Sequence, residues 1–252
     1  MSKVQEILNA VVITRPYNNA EVLFEKVRGQ RTHTFGGSCR HQLQEIFLRA
    51  QAQGIPMDFL GACNSTHWIG LAQEEDELVA IDPAMRQRGV LSITNMFADF
   101  AEQESSAYPQ YGNIQGTIKI NPAGKQSFTE WVQVINNRVP ISSGRISGFN
   151  LCDRKDVLPD VNFDLRTTME QVRYKLSLFG VCADGQVVNV QMNLQGAITA
   201  RLHGNLPSDD GLCLDDLLRK VVEPLVGTDI KPDDLKDYLS DARAILEDLL
   251  KN

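Results

Sequence analysis

The sequence predicts an α+β protein, with helical segments at both ends and β-structure between them. Three observations carry that prediction. Apolar residues recur at helical spacing after Cys39, the period switches to two from Thr66, and helical stripes return after Leu214.

Residues 1–60 read as mainly helical. Within 21–27, Leu23, Phe24 and Val27 fit one helical face. A stronger helix runs from Cys39 to about Gln53, with Leu43, Ile46, Phe47 and Ala50 at i, i+3, i+4 and i+7 spacing. Gly54 ends it and Pro56 follows. Residues 66–72 and 77–82 are two apolar runs around the polar Gln73-Glu74-Glu75-Asp76, which reads as a hairpin with a four-residue loop. Residues 115–120 read as a strand and 128–135 as a strand or short helix. Asn121-Pro122-Ala123-Gly124 and Ser142-Ser143-Gly144 supply turn signals. Residues 174–182 and 187–194 are strands joined by Ala183-Asp184-Gly185. Leu214, Leu217, Leu218 and Val221 then form one helical stripe, and Leu239, Ala242, Leu246 and Leu249 another. No repeat or low-complexity tract interrupts the chain.

Composition narrows the classes of function. The 252 residues are 42% hydrophobic and 23% charged, ordinary for a globular protein with a sizeable core. A net charge of −7 and an isoelectric point of about 5.2 give an average surface that nucleic acid phosphates repel. No apolar run approaches the roughly 20 residues that span a bilayer. The first ten residues have no basic head followed by an apolar block, so the cytoplasm is the expected compartment. Nucleic-acid and membrane partners are therefore not expected. The five cysteines (Cys39, Cys63, Cys152, Cys182 and Cys213) are odd in number and contain no CxxC, which argues against a disulfide framework or a zinc ribbon.

One cysteine sits at a chemically useful address. Gly36 and Gly37 permit a tight turn just before Cys39, which opens the strongest N-terminal helix pattern. Free N–H groups and the helix dipole favour a thiolate there and could stabilise an oxyanion. The competing reading is a buried structural cysteine, since Cys39 shares the inward face of Leu43. The hairpin adds a second element. A four-residue loop sets Ala72 opposite Glu77, Leu71 opposite Leu78, Ile69 opposite Ala80 and His67 opposite Asp82. Directly opposed Cβ atoms lie about 4.5–5.5 Å apart. Asp82 could then orient the imidazole while His67 takes the thiol proton of Cys39. A surface His–Asp pair at a strand end is the alternative, and a one-residue slip would separate the two groups.

Rival constellations are weaker. Cys63 and His67 have CxxxH spacing, but no second pair completes a metal site, and no metal is expected. His33 and His41 flank Cys39, with His41 expected to be exposed. His203 reads as a loop residue without a partner.

Leu23-Phe24-Glu25-Lys26-Val27, Phe35-Gly36-Gly37-Ser38-Cys39 and a helix ending at Gly54 together resemble the arylamine N-acetyltransferases. The similarity extends to Thr66-His67-Trp68-Ile69 and Ala80-Ile81-Asp82, and to Asn162-Phe163-Asp164-Leu165 with the hairpin over 176–194. It covers about residues 20–225. It implies a helical segment over 1–60 carrying the nucleophile, a middle antiparallel β-barrel over 61–165 carrying the His and Asp, and a C-terminal α/β lid over 166–252. The catalytic core would be papain-like or transglutaminase-like. It further implies ping-pong transfer of an acyl group from acetyl-CoA or another acyl-CoA, through a thioester on Cys39, to a small-molecule amine.

Phe35, Thr167 and Thr168 are the positions it implies for substrate contact. The sequence departs from the family's pattern in three places. Phe35 stands where the family has arginine, and Arg40-His41-Gln42 replaces its aromatic, Glu and Asn. Only 38 residues precede Cys39, which implies a trimmed helical part. Related amide synthases take the acyl chain from an acyl carrier protein instead of CoA. A thiol hydrolase and a non-catalytic binding relative are the remaining readings.

Overall fold

The structure, a computed structural model of the chain, describes residues 2–29, 32, 34–62, 68–75, 77–81, 83, 91–92, 102–106, 114–123, 126–135, 149–152, 172, 175–182, 187–203, 212–225 and 229–251. The α+β class stands. The described elements run α1 (Lys3–Thr14), β1 (Tyr17–Asn18), α2 (Glu21–Arg28), α3 (Cys39–Ala52), β2 (Met57–Ala62), β3 (Trp68–Glu74), β4 (Glu77–Ile81) and β5 (Leu91–Ser92). They continue with β6 (Glu102–Ser106), β7 (Ile114–Ala123), β8 (Gln126–Ile135), β9 (Phe149–Cys152), β10 (Lys175–Val181), β11 (Val187–Asn193), β12 (Ile198–His203), α4 (Leu214–Val222) and α5 (Pro232–Lys251).

The chain divides into two compact units, and neither is contiguous in sequence. One contains Met1–Val11 and Cys39–Val161, the other Val12–Ser38 and Asn162–Asn252. The interleaving has a packing cause. Helix α2 packs against α5, remote from it in sequence, while α3 packs against β2 and β3.

In the first unit the described strands make a five-stranded antiparallel sheet of order β5-β4-β3-β2-β9 and a three-stranded sheet β6-β7-β8. Among the described residues the five-stranded sheet is open, with β5 and β9 as its edges. Its register pairs Met57 with Ala72, Phe59 with Gly70, Gly70 with Ile81 and Ala72 with Val79, so these residues share one face. Met57, Phe59, Ala72, Val79 and Ile81 are buried, as are Leu43, Ile46, Phe47 and Ala50 of α3. Burying each of the larger side chains contributes about 1.5–3 kcal/mol. Gly70 lets the layers approach closely, because a Cβ there would lie 3.3 Å from Leu43 Cδ2 and overlap Met57 Cε. Phe47 and Phe59 meet with ring centroids 5.3 Å apart. Residues 57–62, of which 57–60 are expected within a mainly helical stretch, form a strand. Its Met57 and Phe59 point into the core while Asp58 is half-buried.

The second unit is a four-stranded antiparallel sheet, β1-β10-β11-β12, with α2, α4 and α5 packed together. Leu176, Leu178, Val188, Val190 and Met192, on alternate positions of β10 and β11, join Leu217, Leu218, Val221, Leu235, Leu239, Ala242 and Leu246 in one core. Of the stripes expected for the last two helices, Leu217, Leu218, Val221, Leu239, Ala242 and Leu246 are buried, while Leu214 and Leu249 are partly buried against the same core. In α2 the expectation fails in part. Leu23 and Phe24 are buried with Val22, but Val27 is 52% exposed. The whole first turn of this eight-residue helix is enclosed, and its last turn projects outward. Among the described residues no helix is long and apolar enough to cross a membrane.

Candidate active site

The turn that leads into α3 is fixed by its backbone. Gly36 has φ 84°, a left-handed conformation, and a Cβ on it would overlap the Pro16 carbonyl oxygen. Glycine is therefore required there, as the sequence anticipates. Gly37 N–H donates to Pro16 O (3.1 Å), and Asn18 N–H donates to Gly37 O (2.8 Å), forming a short parallel bridge with Tyr17. The Asn18 side-chain amide donates to Phe35 O (3.1 Å). The ring of Phe35, a position implied for substrate contact, is 3% exposed and belongs to the core of the second unit.

Cys39 is the first residue of α3, a free thiol only 6% exposed. The start of this helix is enclosed on more than its apolar stripe, since His41, Gln42, Leu43 and Gln44 are all buried. His41, expected to be exposed, is 8% exposed for that reason. Cys182 is buried and Cys213 exposed.

The hairpin carries a register different from the expected one. Glu74 pairs with Glu77, Gln73 with Leu78, Leu71 with Ala80 and Gly70 with Ile81. The connection is thus two residues long, with Glu75 at φ 54°, and Gln73 and Glu74 belong to the strand. Every pair moves by two positions relative to the four-residue loop, which preserves the face of each residue because the side-chain period is two. The β3–β4 ladder pairs Gly70–Glu74 with Glu77–Ile81, so it stops three residues short of His67 and one short of Asp82, and the register expected to set those two opposite each other is not the observed one. His67, Asp82, Thr167, Thr168, Cys63 and His33 lie outside the described residues. His203 is the last residue of β12, paired with Val187, where a loop was expected. Among the described residues, no group of three or more His, Cys, Asp or Glu could hold a metal ion.

Sequence reasoning misses a buried polar cluster behind the turn. Glu21, 1% exposed, accepts hydrogen bonds from Tyr238 Oη (2.8 Å) and from the backbone N–H and the hydroxyl of Thr32. Asn18 Nδ2 donates to Tyr238 Oη (2.8 Å) as well as to Phe35 O. Tyr238 also packs its ring on Phe24 and Phe35, with centroids 4.8 and 4.7 Å away. Burial, and then the negative charge of Glu21, pushes the Tyr238 hydroxyl well above the usual tyrosine range. No local spacing could signal this cluster, because Glu21 and Tyr238 are 217 residues apart.

No protein-family model matches the sequence, and no curated protein sequence matches it. Among solved structures, the chain is similar to an arylamine N-acetyltransferase from Bacillus cereus described as having a Cys-His-Glu catalytic triad. The two superpose with a TM-score of 0.43 and 11% identity, over 79% of this chain and 83% of that one. A likeness of that size transfers no residue role.

Proposed function

We propose that this chain is a thioester-dependent N-acyltransferase in which Cys39 carries the acyl group. The observation that supports the reading is the placement of Cys39. It is a free thiol at the first position of α3, directly after a turn pinned through Pro16, Asn18 and Phe35. The N–H groups of a helix's first turn have no partner within the helix, so they suit a developing oxyanion. The reading keeps residues 1–60 as the part that carries the nucleophile, 61–165 as a β-barrel carrying its base, and 166–252 as a lid.

In this reading His67 removes the thiol proton and Cys39 Sγ attacks the carbonyl of acetyl-CoA or another acyl-CoA. The tetrahedral adduct collapses by breaking the bond to the CoA sulfur, which leaves as a thiol after taking the proton from His67. An amine then attacks the Cys39 thioester, the amide forms, and its released proton returns through His67 to Cys39. Asp82 holds the imidazole in the tautomer that both steps need. Phe35 acts from the core, by shaping the turn, while Thr167 and Thr168 are proposed to contact the substrate.

Intact mass after incubation with acetyl-CoA, and separately with an acyl-carrier thioester, tests the reading. A single acyl adduct from acetyl-CoA, absent in Cys39→Ala, is the expected result. An adduct from the carrier thioester alone would move the donor assignment to that of an amide synthase. Folded protein acylated by neither donor, or a Cys39→Ala variant still acylated, overturns the proposal.

A further inference from the structure

We infer that Tyr238, on α5, is a positioning residue for Cys39, acting through the chain segment that enters α3. The inference rests on Cys39 being the nucleophile proposed above. Its basis is how the Tyr238 hydroxyl is used. That group donates its one proton to Glu21 Oε2 and accepts from Asn18 Nδ2. The same Asn18 amide nitrogen donates to Phe35 O, and the Asn18 backbone N–H donates to Gly37 O. Asn18 Oδ1 is occupied as well, by the Ala20 N–H (2.9 Å).

Each end of the segment is therefore tied to one cluster. Thr32 is held by two hydrogen bonds to Glu21, Phe35 by its carbonyl and by its ring on Tyr238, and Gly37 by Asn18 and Pro16. Only Ser38, fully buried, separates Gly37 from Cys39. With Gly36 fixed at φ 84° against Pro16, the Phe35–Gly37 turn has little freedom to relax if one tie is lost. Two peptide units join Gly37 to Cys39, the first residue of α3. In a buried polar network of this kind the geometry of each bond depends on the others.

The alternative is a satisfied polar patch of the core that serves stability alone. The two roles separate in a measurement that does not involve the acyl donor. Cys213 is exposed, and its thiol provides an internal standard in the same molecule.

The experiment measures iodoacetamide alkylation of Cys39 relative to Cys213 across pH, by peptide mass, together with the rate of Cys39 acylation. It compares the wild type with Tyr238→Phe, which keeps the ring on Phe24 and Phe35, and with Glu21→Gln. Leu246→Val, two turns further along α5 in the core, controls for lost stability. The expected result is a change of about 10-fold in the Cys39:Cys213 ratio for Tyr238→Phe, as small displacements of reacting groups produce. Glu21→Gln should shift the ratio in the same direction, and it decides by the same criterion if Tyr238→Phe does not fold. Leu246→Val should leave the ratio unchanged. A wild-type ratio in the folded variant, or an equal change in Leu246→Val, overturns the inference. If the ratio shifts while no thioester acylates the wild type, the positioning role stands and the acyl-transfer reading fails.

Discussion

Two of the described helices begin at a cysteine, and the two thiols are held in opposite ways. Cys39 opens α3, buried, behind a turn that only glycine can make at position 36. Cys213 caps α4 in the open, where Asp216 Oδ2 accepts from its N–H (3.2 Å) and from its Sγ (3.1 Å). Those hydrogen bonds, the thiol's first, hold the Asp216 carboxyl below its ordinary value, and Arg219 adds a smaller favourable charge. A helix N-terminus is common to both, so it does not by itself mark a nucleophile. At α4 the thiol is a proton donor in a cap, whereas at α3 the preceding chain is tied down right up to the residue before it.

The largest effect expected from this contrast is on acylation. Cys39→Ala should lower turnover by about 10⁴-fold or more, while Cys213→Ala keeps it, as measured by product formation from acetyl-CoA. Equal loss in both variants would break the comparison. Next in size, Gly36→Ala should cost about 3 kcal/mol or more, from a left-handed alanine and its clash with Pro16. Urea unfolding midpoints check this, and Cys213→Ala should cost no more than about 1 kcal/mol in the same assay, the worth of an exposed cap.

A smaller effect concerns alkaline pH. The Tyr238 hydroxyl is raised above its ordinary 10.0, so its contribution to stability is complete below that value and lost as pH climbs through the folded value. The stability gap between wild type and Tyr238→Phe should therefore narrow above pH 10.0 in thermal melts. The smallest effect lies at α4. Asp216 is lowered from 3.8, so its contribution is present above that value and disappears as pH falls through the folded one. Asp216→Asn should lower the melting temperature slightly at neutral pH and leave it unchanged in strong acid.

Much of the fold is legible in the sequence because local periodicity reports on burial. Leu43, Ile46, Phe47 and Ala50 stand out by spacing and are buried, as are the stripes of α4 and α5 apart from the partly buried Leu214 and Leu249. The β10–β11 hairpin lies within a residue or two of its expected ends. Other features depend on partners that spacing does not contain. Val27 fits the apolar face of α2 but projects outward, because α2 is enclosed at its start by elements remote in sequence. The β3–β4 register differs by two positions because Gln73 and Glu74 are polar yet remain in the strand. Met57 and Phe59 do carry an alternating signal, which the helical reading of 1–60 overrides. Of the proposed site, Cys39 and its glycine turn are legible. The Glu21–Tyr238 cluster is not, since it exists only once two remote segments have met.

That meeting has a cost in time. Glu21 must wait for a tyrosine made 217 residues later, which at about 5–20 residues per second is roughly 10–40 seconds of synthesis. Until then Leu23, Phe24 and Phe35 have no α5 to cover them, and the segment before Cys39 has only its ties to Pro16, Asn18 and Glu21. The nascent chain therefore carries its buried-to-be thiol well before it can hold that thiol in place. Emergence of Tyr238, rather than of the cysteine, is the moment at which the cluster behind that segment can first be completed.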